Sequence, residues 1–298
     1  MTTERAPQGA DEIQGVAMDE IQGVAILAGN GRLPTEAAAR LCRLGAPPLV
    51  LAVGPEVDPE LPQYARAYHR LPVGQWGEVR RLLVEGGVRR VALLGKVPKV
   101  NLYHTAIDQA LAELLAELPA LNDDAIMLAL VDDLLRMGFE IPTQAWALPH
   151  LLMPEGQLTQ TGLTPEERRD IGIGFRVARE IGRLDLGQTV VVKDRAVLAV
   201  EAIEGTDPCI LRGGALGGPG AVVVKVRKPT QDARFDLPTM GLDTVTVAKQ
   251  AGVRVLALEA GETILVDRER VIEEADRAGI CLIGVREEKA TTWGVWPG

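Results

Sequence analysis

Cysteine, histidine and aromatic residues are scarce in this chain of 298 residues, which contains three cysteines, three histidines and 3% aromatic residues. Cys42, Cys209 and Cys281 lie far apart and show none of the CxxC or Cys/His spacings of zinc sites and redox pairs. We therefore expect three buried cysteines that act as small hydrophobic residues in a reducing compartment. The histidines are isolated as well, so any metal would need oxygen ligands.

The chain also lacks an excess of positive charge and a long hydrophobic run. Its formal net charge of −9 argues against a general nucleic-acid binder, because phosphate backbones are bound by clustered cations. No apolar run reaches the roughly 18–20 residues of a membrane-spanning helix, and the N-terminus MTTERAPQGADEIQGVAMDE is too polar for a secretory signal. We expect a soluble cytoplasmic protein that has no nucleic-acid partner.

The apolar content is sufficient for more than one core. Hydrophobic residues make up 47% of the chain, and its length exceeds the size at which single cores usually stop growing, so two domains are favoured. The stretch PEGQLTQTGLTPEE, which is rich in glycine, proline and threonine, interrupts the pattern of helices and strands. We therefore place an N-terminal domain at 21–150, a linker at 151–164 and a C-terminal domain at 165–298.

The segment DEIQGVA occurs twice, at 11–17 and at 19–25, with Met18 between the copies. The second copy leads into an apolar strand, whereas the first does not. We interpret residues 1–20 as a disordered extension and Met18 as a candidate for the true start.

In the first domain, short apolar runs alternate with amphipathic segments. The predicted strands are VAILA (24–28), PLVLAV (48–53) and VALLG (91–95), and the predicted helices span 35–45, 76–87, 106–118 and 122–137. A β-α-β-α-β order implies parallel strands joined by right-handed crossovers. The sequence therefore predicts an α/β protein whose N-terminal lobe is a Rossmann-like parallel sheet.

The second domain combines hairpin-like strands with a further α/β layer. Helices are predicted at 165–182 and 243–251, and strands at 188–194, 196–204, 221–226, 253–259, 263–267 and 280–285. GGALGGPG, at 213–220, is interpreted as a flexible loop between strands, which either approaches a phosphate closely or is a plain surface loop. These features predict a mixed α/β C-terminal lobe.

The motif AGNGRLP follows the first strand and precedes a helix. Gly29 and Gly31 form a tight turn, and free backbone N–H groups together with the helix dipole favour an anion at such a place. Pro34 stands where a dinucleotide fingerprint has its third glycine, and no GK[ST] follows. The pattern fits either a nucleotide site formed by Gly29, Asn30, Gly31 and Arg32 or a tight turn without a ligand.

The segment KVRKPTQDARFDLP, at 225–238, has a composition typical of phosphate binding. Lysine and arginine supply charge and forked donors to phosphate oxygens, whereas aspartate holds a divalent metal or orients a water molecule. The candidate catalytic residues are Lys225, Lys228, Asp232 and Asp236, and the candidate substrate ligands are Gln231 and Arg234. The alternative is a solvated loop whose charges cancel.

Two further motifs are rich in carboxylates. NDDA places Asp123 and Asp124 in the first turn of a predicted helix, where helix capping is the simpler explanation. EAIEGTD carries Glu204, Thr206 and Asp207 on a glycine turn, which either contributes oxygen ligands to Mg²⁺ or is an acidic turn without a metal. Together with the lysine-rich segment, these acids suit one phosphoryl-transfer site.

Several motifs together resemble the LpxI family. They are AGNGRLP, LLGKV (93–97), NDDAIM with GFEI (138–141), AREIGRLDLGQTVVVKD (178–194), LAVEAIEGTD (198–207) and KPTQDARFDLPTMGLDT (228–244). They occur in a single order over most of the chain, and the combination of EGTD with KPxQDxRFDLPxxG is specific.

The resemblance implies a two-domain enzyme of lipid A biosynthesis that hydrolyses the pyrophosphate bond of UDP-2,3-diacylglucosamine to UMP and 2,3-diacylglucosamine 1-phosphate (lipid X). It also implies a divalent cation, Mg²⁺ or Mn²⁺, a homodimer, and transient contact with the inner face of the inner membrane. Carried over by motif, the catalytic aspartate is Asp236, and Thr206 lies beside the phosphates. The predicted metal ligands are Asp236, Glu204, Asp207, Asp123 and Asp124.

Two other functions stay open from the residues alone. One is a non-catalytic nucleotide- or sugar-nucleotide-binding module, in which AGNGRLP holds the ligand and the acidic turns are structural. The other is a soluble phosphatase that acts on a sugar nucleotide without acyl chains.

Overall fold

The computed structural model describes residues 21–97, 105–119 and 121–294, so the predicted extension at 1–20 lies outside the described residues. The chain divides into two compact units, of which the first ends at Ala147 and the second begins at Leu148. Each unit has its own sheet, and each is described by itself.

The first unit alternates strands and helices, as the apolar pattern predicts. Its elements are β1 (Val24–Ala28), α1 (Leu33–Arg43), β2 (Leu49–Ala52), a 3₁₀ helix (Leu61–Tyr64), β3 (Ala67–Arg70), α2 (Trp76–Glu85), β4 (Arg90–Leu94), α3 (Gln109–Ala116), α4 (Asp123–Arg136) and α5 (Gln144–Ala147).

The strands of the first unit form one parallel sheet in the order β3-β2-β1-β4. Ile26 of β1 lies opposite Val50 of β2 and Ala92 of β4, and these strands are largely buried. This order and direction are those of a Rossmann-type half, so the predicted fold of this lobe is confirmed. Strand β3 was not predicted, because its residues AYHR lie at the sheet edge and lack an apolar run.

The second unit is also α/β. Its elements are a 3₁₀ helix (Pro149–Leu151), β5 (Gly156–Gln157), α6 (Pro165–Arg183), β6 (Thr189–Lys193), β7 (Ala196–Val200), α7 (Thr206–Gly217), β8 (Ala221–Lys225), β9 (Thr239–Met240), α8 (Leu242–Gln250), β10 (Val253–Glu259), β11 (Ile264–Leu265), α9 (Arg268–Arg277), β12 (Cys281–Val285) and α10 (Glu287–Trp293).

The main sheet of the second unit has the order β5-β12-β10-β8-β6-β7. Strands β8, β10 and β12 are parallel, whereas β5, β6 and β7 run antiparallel to their neighbours. Apolar side chains of α6 and α10 cover one face of the sheet, and those of α7, α8 and α9 cover the other. This arrangement confirms the predicted mixed α/β lobe.

The segment 151–164, interpreted above as a linker, is built into the second unit. Leu152 forms an isolated bridge with Ile264, and β5 pairs with β12. The hydroxyl of Thr164 accepts a hydrogen bond from the Glu167 N–H, and the Glu167 carboxylate accepts one from the Thr164 N–H. This capping box fixes the start of α6.

The glycine-rich segment 213–220 is not the flexible loop that the sequence predicted, because its first half continues helix α7. A β-carbon at Gly213 would lie 2.6 Å from the Val191 side chain of β6, and one at Gly214 would lie 2.3 Å from the Ala251 carbonyl oxygen. These glycines therefore allow α7 to pack closely against the sheet and against the end of α8. The prediction was wrong because close packing and loop formation both favour glycine.

The cysteines divide into two kinds. Cys209 and Cys281 are buried as predicted, but Cys42 on α1 is exposed, so the prediction is wrong at that position. Burial raises the pKa of the Cys209 thiol to about 12 and that of the Cys281 thiol to about 11. Because the thiolate is the reactive form, these two buried thiols react slowly at neutral pH.

We expect iodoacetamide to modify Cys42 rapidly in the folded chain, and Cys209 and Cys281 only after denaturation. Intact-mass spectrometry of a native time course measures the number of adducts. Cys42→Ser should abolish the rapid adduct, whereas Cys209→Ser should leave it unchanged. Rapid modification of a second thiol in the native protein would contradict the burial.

Candidate active site

The candidate residues of the second unit meet at one edge of its sheet. Lys225 and Glu259 are the last residues of the neighbouring parallel strands β8 and β10. Thr189, the first residue of the antiparallel strand β6, lies opposite Lys225. Ligands bind outside the carboxyl ends of the strands in open α/β sheets, so we take this edge as the candidate active site.

A buried lysine and a threonine hydroxyl form the centre of this edge. The Lys225 ammonium donates hydrogen bonds to Thr206 Oγ1 (3.2 Å) and to the carbonyl oxygen of Thr239 (3.0 Å). The Thr206 hydroxyl donates in turn to Glu201 Oε1 (3.0 Å). Lys225 and Glu201 are each 7% exposed, and buried charges need such partners. The cluster therefore holds the Lys225 ammonium in a fixed position at the end of β8.

A second buried network anchors the loop that follows β8. Glu259 Oε2 accepts a hydrogen bond from the Arg227 backbone N–H (2.8 Å), and Glu259 Oε1 accepts one from the Arg179 guanidinium. Arg179 also donates to the Arg227 carbonyl oxygen (2.7 Å). Burial raises the pKa of Glu259, while the Arg227 N–H and the Arg179 charge oppose the rise. These contacts set the backbone at Arg227, and hence the start of the loop.

Hydrogen bonds within the loop shape its second half. The buried Gln231 accepts a bond at Oε1 from the Lys228 backbone N–H (2.9 Å). The Arg234 guanidinium binds the Asp232 carboxylate, with Nε 2.9 Å from Oδ1, and this bond holds the pKa of Asp232 below its usual value. The Asp236 N–H donates to the Asp232 carbonyl oxygen (2.9 Å). The loop therefore ends in a turn that carries the partly buried Asp236.

The acidic turn after β7 leads directly into α7. Glu204 is exposed, and its pKa is lowered by a hydrogen bond from its own backbone N–H and by its ion pair with Arg212 (2.5 Å). Asp207 lies in the first turn of α7 and accepts a hydrogen bond from the Thr244 hydroxyl (3.3 Å). Gly205 has a φ of 84°, which favours glycine and lets the chain turn into the helix. The turn therefore brings Asp207 to the edge described above.

In the first unit, the AGNGRLP turn lies after β1 and beside the end of β4. The backbones of Asn30 and Lys96 exchange two hydrogen bonds (2.7 and 3.2 Å), and Asn30 Oδ1 accepts one from the Glu56 N–H (2.9 Å). A β-carbon at Gly29 would lie 2.7 Å from the Lys96 carbonyl oxygen, and Gly31 has a φ of 91°. The close backbone contact at Gly29 and the positive φ at Gly31 thus explain why glycine occupies both positions. The strand order reverses between β1 and β4, where α/β sheets bind ligands.

Both halves of the chain match family models. Residues 23–151 match the LpxI N-terminal domain, and residues 154–283 match the LpxI C-terminal domain. The chain belongs to the LpxI family. It is similar to UDP-2,3-diacylglucosamine pyrophosphatase LpxI of Caulobacter vibrioides, with 36% identity over 275 residues that cover 87% of this chain and 96% of that protein.

In this LpxI-family chain, the predicted site residues fall into both units. The second unit contains Glu204, Thr206, Asp207, Lys225, Lys228, Gln231, Asp232, Arg234 and Asp236; the first contains Gly29, Asn30, Gly31, Arg32, Asp123 and Asp124. Asp123 and Asp124 are exposed in the first turn of α4, which Asn122 caps by accepting a hydrogen bond from the Ala125 N–H (2.7 Å). The geometry at these two aspartates is that of a capped helix start.

The carboxylates of the second unit differ in their ion pairing. Glu204 and Asp232 form ion pairs with arginines, and within 21–97, 105–119 and 121–294 no three acidic, histidine or cysteine residues group as a metal site. Mg²⁺ commonly takes one or two carboxylates, several waters and substrate phosphates. Such an ion would need no group of three protein ligands, and the metal therefore stays a prediction for this site.

Sequence reasoning missed Arg179 and Glu259. Glu259 ends the apolar strand VRVLALE, and a carboxylate at the end of a buried strand was a usable signal, since acids are rarely buried without a partner. Arg179 offered no such signal, because arginines on amphipathic helices are usually solvated. Its partner Glu259 lies 80 residues away in the sequence.

The raised pKa of Glu259 predicts a pH dependence of stability. In the folded chain this pKa lies above its ordinary value of 4.5, so the folded state binds the proton more tightly than the unfolded state. The stabilising contribution is fully present below about pH 4.5 and is lost as the pH rises through the folded-state pKa. We expect Glu259→Gln to flatten this part of the curve of unfolding free energy against pH, measured by urea unfolding. An unchanged slope would assign the dependence to another group.

Proposed function

We propose that this chain hydrolyses the pyrophosphate bond of UDP-2,3-diacylglucosamine to UMP and 2,3-diacylglucosamine 1-phosphate, a step in lipid A biosynthesis. The observation that carries the proposal is similarity over 96% of a relative named for this activity. The chemistry of the second unit supports it, because a buried lysine and an aspartate-bearing loop lie at one sheet edge.

Lys225 and Asp236 are assigned complementary roles. Lys225, held by Thr206 and Thr239, presents a fixed positive charge to the phosphoryl group as negative charge develops on it. The Asp236 carboxylate orients the attacking water and accepts its proton. The water oxygen bonds to the β-phosphorus while the bond from that phosphorus to the bridging oxygen breaks, and UMP leaves with the bridging oxygen.

The metal is assigned to Asp207 and Asp236 together with the substrate phosphates. Mg²⁺ or Mn²⁺ held there would polarise a phosphoryl oxygen and neutralise its charge. Glu204, which is paired with Arg212, would have to exchange that partner to join the set. Arg234 and Lys228 are assigned to the phosphates as cations of the same loop.

The deciding experiment is hydrolysis of UDP-2,3-diacylglucosamine by the purified chain in ¹⁸O-enriched water with Mg²⁺, with both products read by mass spectrometry. Label in 2,3-diacylglucosamine 1-phosphate is expected, since the water is proposed to attack the β-phosphorus. Label in UMP would still demonstrate the hydrolysis, but it would show that the water attacks the α-phosphorus. Absence of products with both Mg²⁺ and Mn²⁺ would refute the proposal. UDP-N-acetylglucosamine should react much more slowly, because it lacks the acyl chains whose binding supports catalysis.

A nucleotide-binding module is the second candidate. It is favoured by the glycine turn at the point where the strand order of the first unit reverses. Tight binding of UDP without any turnover of UDP-2,3-diacylglucosamine would select this function over hydrolysis.

A homodimer is proposed on the basis of strand β7. This strand, AVLAV, is the last in the sheet order and contains no charged residue, whereas edge strands of monomers are commonly protected by charge or proline. Pairing of β7 with β7 of a second copy would satisfy its backbone groups. Sedimentation equilibrium should give twice the chain mass of 32.0 kDa; a mass of one chain at micromolar concentration would refute the dimer.

A further inference from the structure

Two loops beside the candidate active site carry exposed aliphatic side chains. Leu184 and Leu186, between α6 and β6, are 70% and 54% exposed, and Ile203, between β7 and α7, is fully exposed. Single exposed aliphatic residues are common on protein surfaces. Three on adjoining loops are less ordinary, and we call them the aliphatic rim.

The two loops are in direct contact. The Gln188 N–H donates to Glu201 Oε2 (3.2 Å), and the Glu201 N–H donates to the Thr189 carbonyl oxygen (2.8 Å). A β-carbon at Gly187 would lie 2.2 Å from the Glu201 carbonyl oxygen, so the backbones touch. The rim residues on both loops therefore belong to one region of the surface.

This region is continuous with the active-site edge. Glu201, which ties the loops together, also accepts the hydrogen bond of Thr206, and Thr206 contacts Lys225. Asp185, which lies between the two rim leucines in the sequence, pairs with Lys228 of the loop that follows β8 (2.6 Å). The aliphatic rim thus lies one or two contacts from the groups assigned to the phosphates.

Three ion pairs lie near the rim. Lys228 pairs with Asp185, Arg212 with Glu204, and Arg183 with Glu180, at 2.5–2.6 Å. The chain as a whole has a net charge of −9, which an anionic membrane surface would repel. Adsorption at this region would therefore depend on burial of apolar side chains and not on attraction to acidic lipids.

We propose that the aliphatic rim inserts into the surface of the lipid bilayer that holds the acylated substrate, and that it places the active-site edge against that bilayer. The inference rests on the proposed function, because only a substrate with acyl chains resides in a membrane. It adds the surface through which the protein reaches the substrate. Among the described residues no helix could cross a membrane, so the rim would act as a peripheral contact.

The test compares the full chain with the triple variant Leu184→Ser, Leu186→Ser, Ile203→Ser. Binding to phosphatidylethanolamine/phosphatidylglycerol vesicles is measured by flotation, and hydrolysis is measured with substrate either in vesicles or in detergent micelles. We expect the triple variant to lose at least about tenfold in vesicle binding and in the rate on vesicles, and to keep its rate in micelles. Binding by the wild-type chain should change little with the phosphatidylglycerol fraction or with salt.

The matched control is Val84→Ser, which removes a side chain of similar exposure (62%) from α2 of the first unit; it should bind vesicles like the wild type. Equal vesicle binding by the triple variant and the wild type would overturn the proposal, and so would a wild type that does not bind vesicles. If the triple variant instead loses its dimeric mass, the rim contacts a second copy and the membrane assignment is wrong. Absence of hydrolysis in micelles by the wild type would refute the proposed function. This outcome is distinguishable from failure of the membrane proposal, because flotation measures vesicle binding and does not depend on turnover.

Discussion

Asp236→Asn should lower kcat for UDP-2,3-diacylglucosamine by about 10³-fold while the chain stays folded. The amide keeps the shape of the side chain, but it neither accepts a proton from water nor binds a cation as a carboxylate does. The backbone of Asp236 should keep its turn, because that turn depends on the hydrogen bond from its N–H to the Asp232 carbonyl oxygen. Initial rates of UMP release at saturating substrate measure the effect, and circular dichroism checks the fold.

The matched control is Asp276→Asn, the same substitution at another partly buried aspartate. Asp276 lies near the end of α9, just before β12, and therefore at the amino edge of the sheet, opposite the active-site edge. Its Oδ1 accepts a hydrogen bond from the Gln160 N–H (2.7 Å), which asparagine can also accept. We expect activity within about twofold of the wild type. Near-native hydrolysis by Asp236→Asn would show that the catalytic aspartate is assigned wrongly.

Arg179→Met should destabilise the second unit by about 3 kcal/mol, because it leaves the buried Glu259 carboxylate without its guanidinium partner. It also removes the hydrogen bond to the Arg227 carbonyl oxygen, so the loop that carries Lys228 and Asp236 loses an anchor and activity should fall as well. Urea unfolding at neutral pH measures the free energy. Methionine retains the apolar stem of the arginine and thus isolates the loss of the charged group.

Arg183→Met provides the comparison on the same helix. Arg183 pairs with Glu180 on the surface, where their side chains are 66% and 55% exposed, and such pairs contribute about 0–1 kcal/mol. The double variant Arg179→Met with Glu259→Gln should regain part of the lost stability, because the buried carboxylate is then absent. If the double variant is less stable than the wild type by the full sum of the two single-variant losses, an uncompensated carboxylate is not the cause.

The strands of both sheets show which parts of the fold can be predicted from the local sequence pattern. VRVLALE was predicted as a strand and forms β10 (Val253–Glu259), and VAILA forms β1 (Val24–Ala28). A short continuous apolar run is typical of a strand in a parallel sheet, because such a strand is buried on both faces. The partly exposed edge strand β3, by contrast, left no such pattern and was missed.

Glycine shows where local pattern is ambiguous. The same residue type serves a left-handed turn at Gly205, where φ is 84°, and close packing of helix α7 at Gly213 and Gly214. A sequence shows only the absence of a side chain. Whether that absence serves a turn or a close contact depends on Val191, which approaches from another strand.

By itself, the sequence predicted the parallel sheet of the first unit, the mixed α/β nature of the second unit and the resemblance to the LpxI family, but it did not predict strand β3 or helices α7, α9 and α10. Apolar periodicity and turn residues act over short distances, and motifs retain their order along the chain, so both can be read without coordinates. Only the tertiary structure decided that Glu259 and Arg179 anchor the loop after β8, that Thr206 joins Lys225 to Glu201, and that three exposed aliphatic side chains lie on loops beside the candidate site. Those contacts join residues far apart in the sequence, and they depend on which strands become neighbours, which no local pattern encodes.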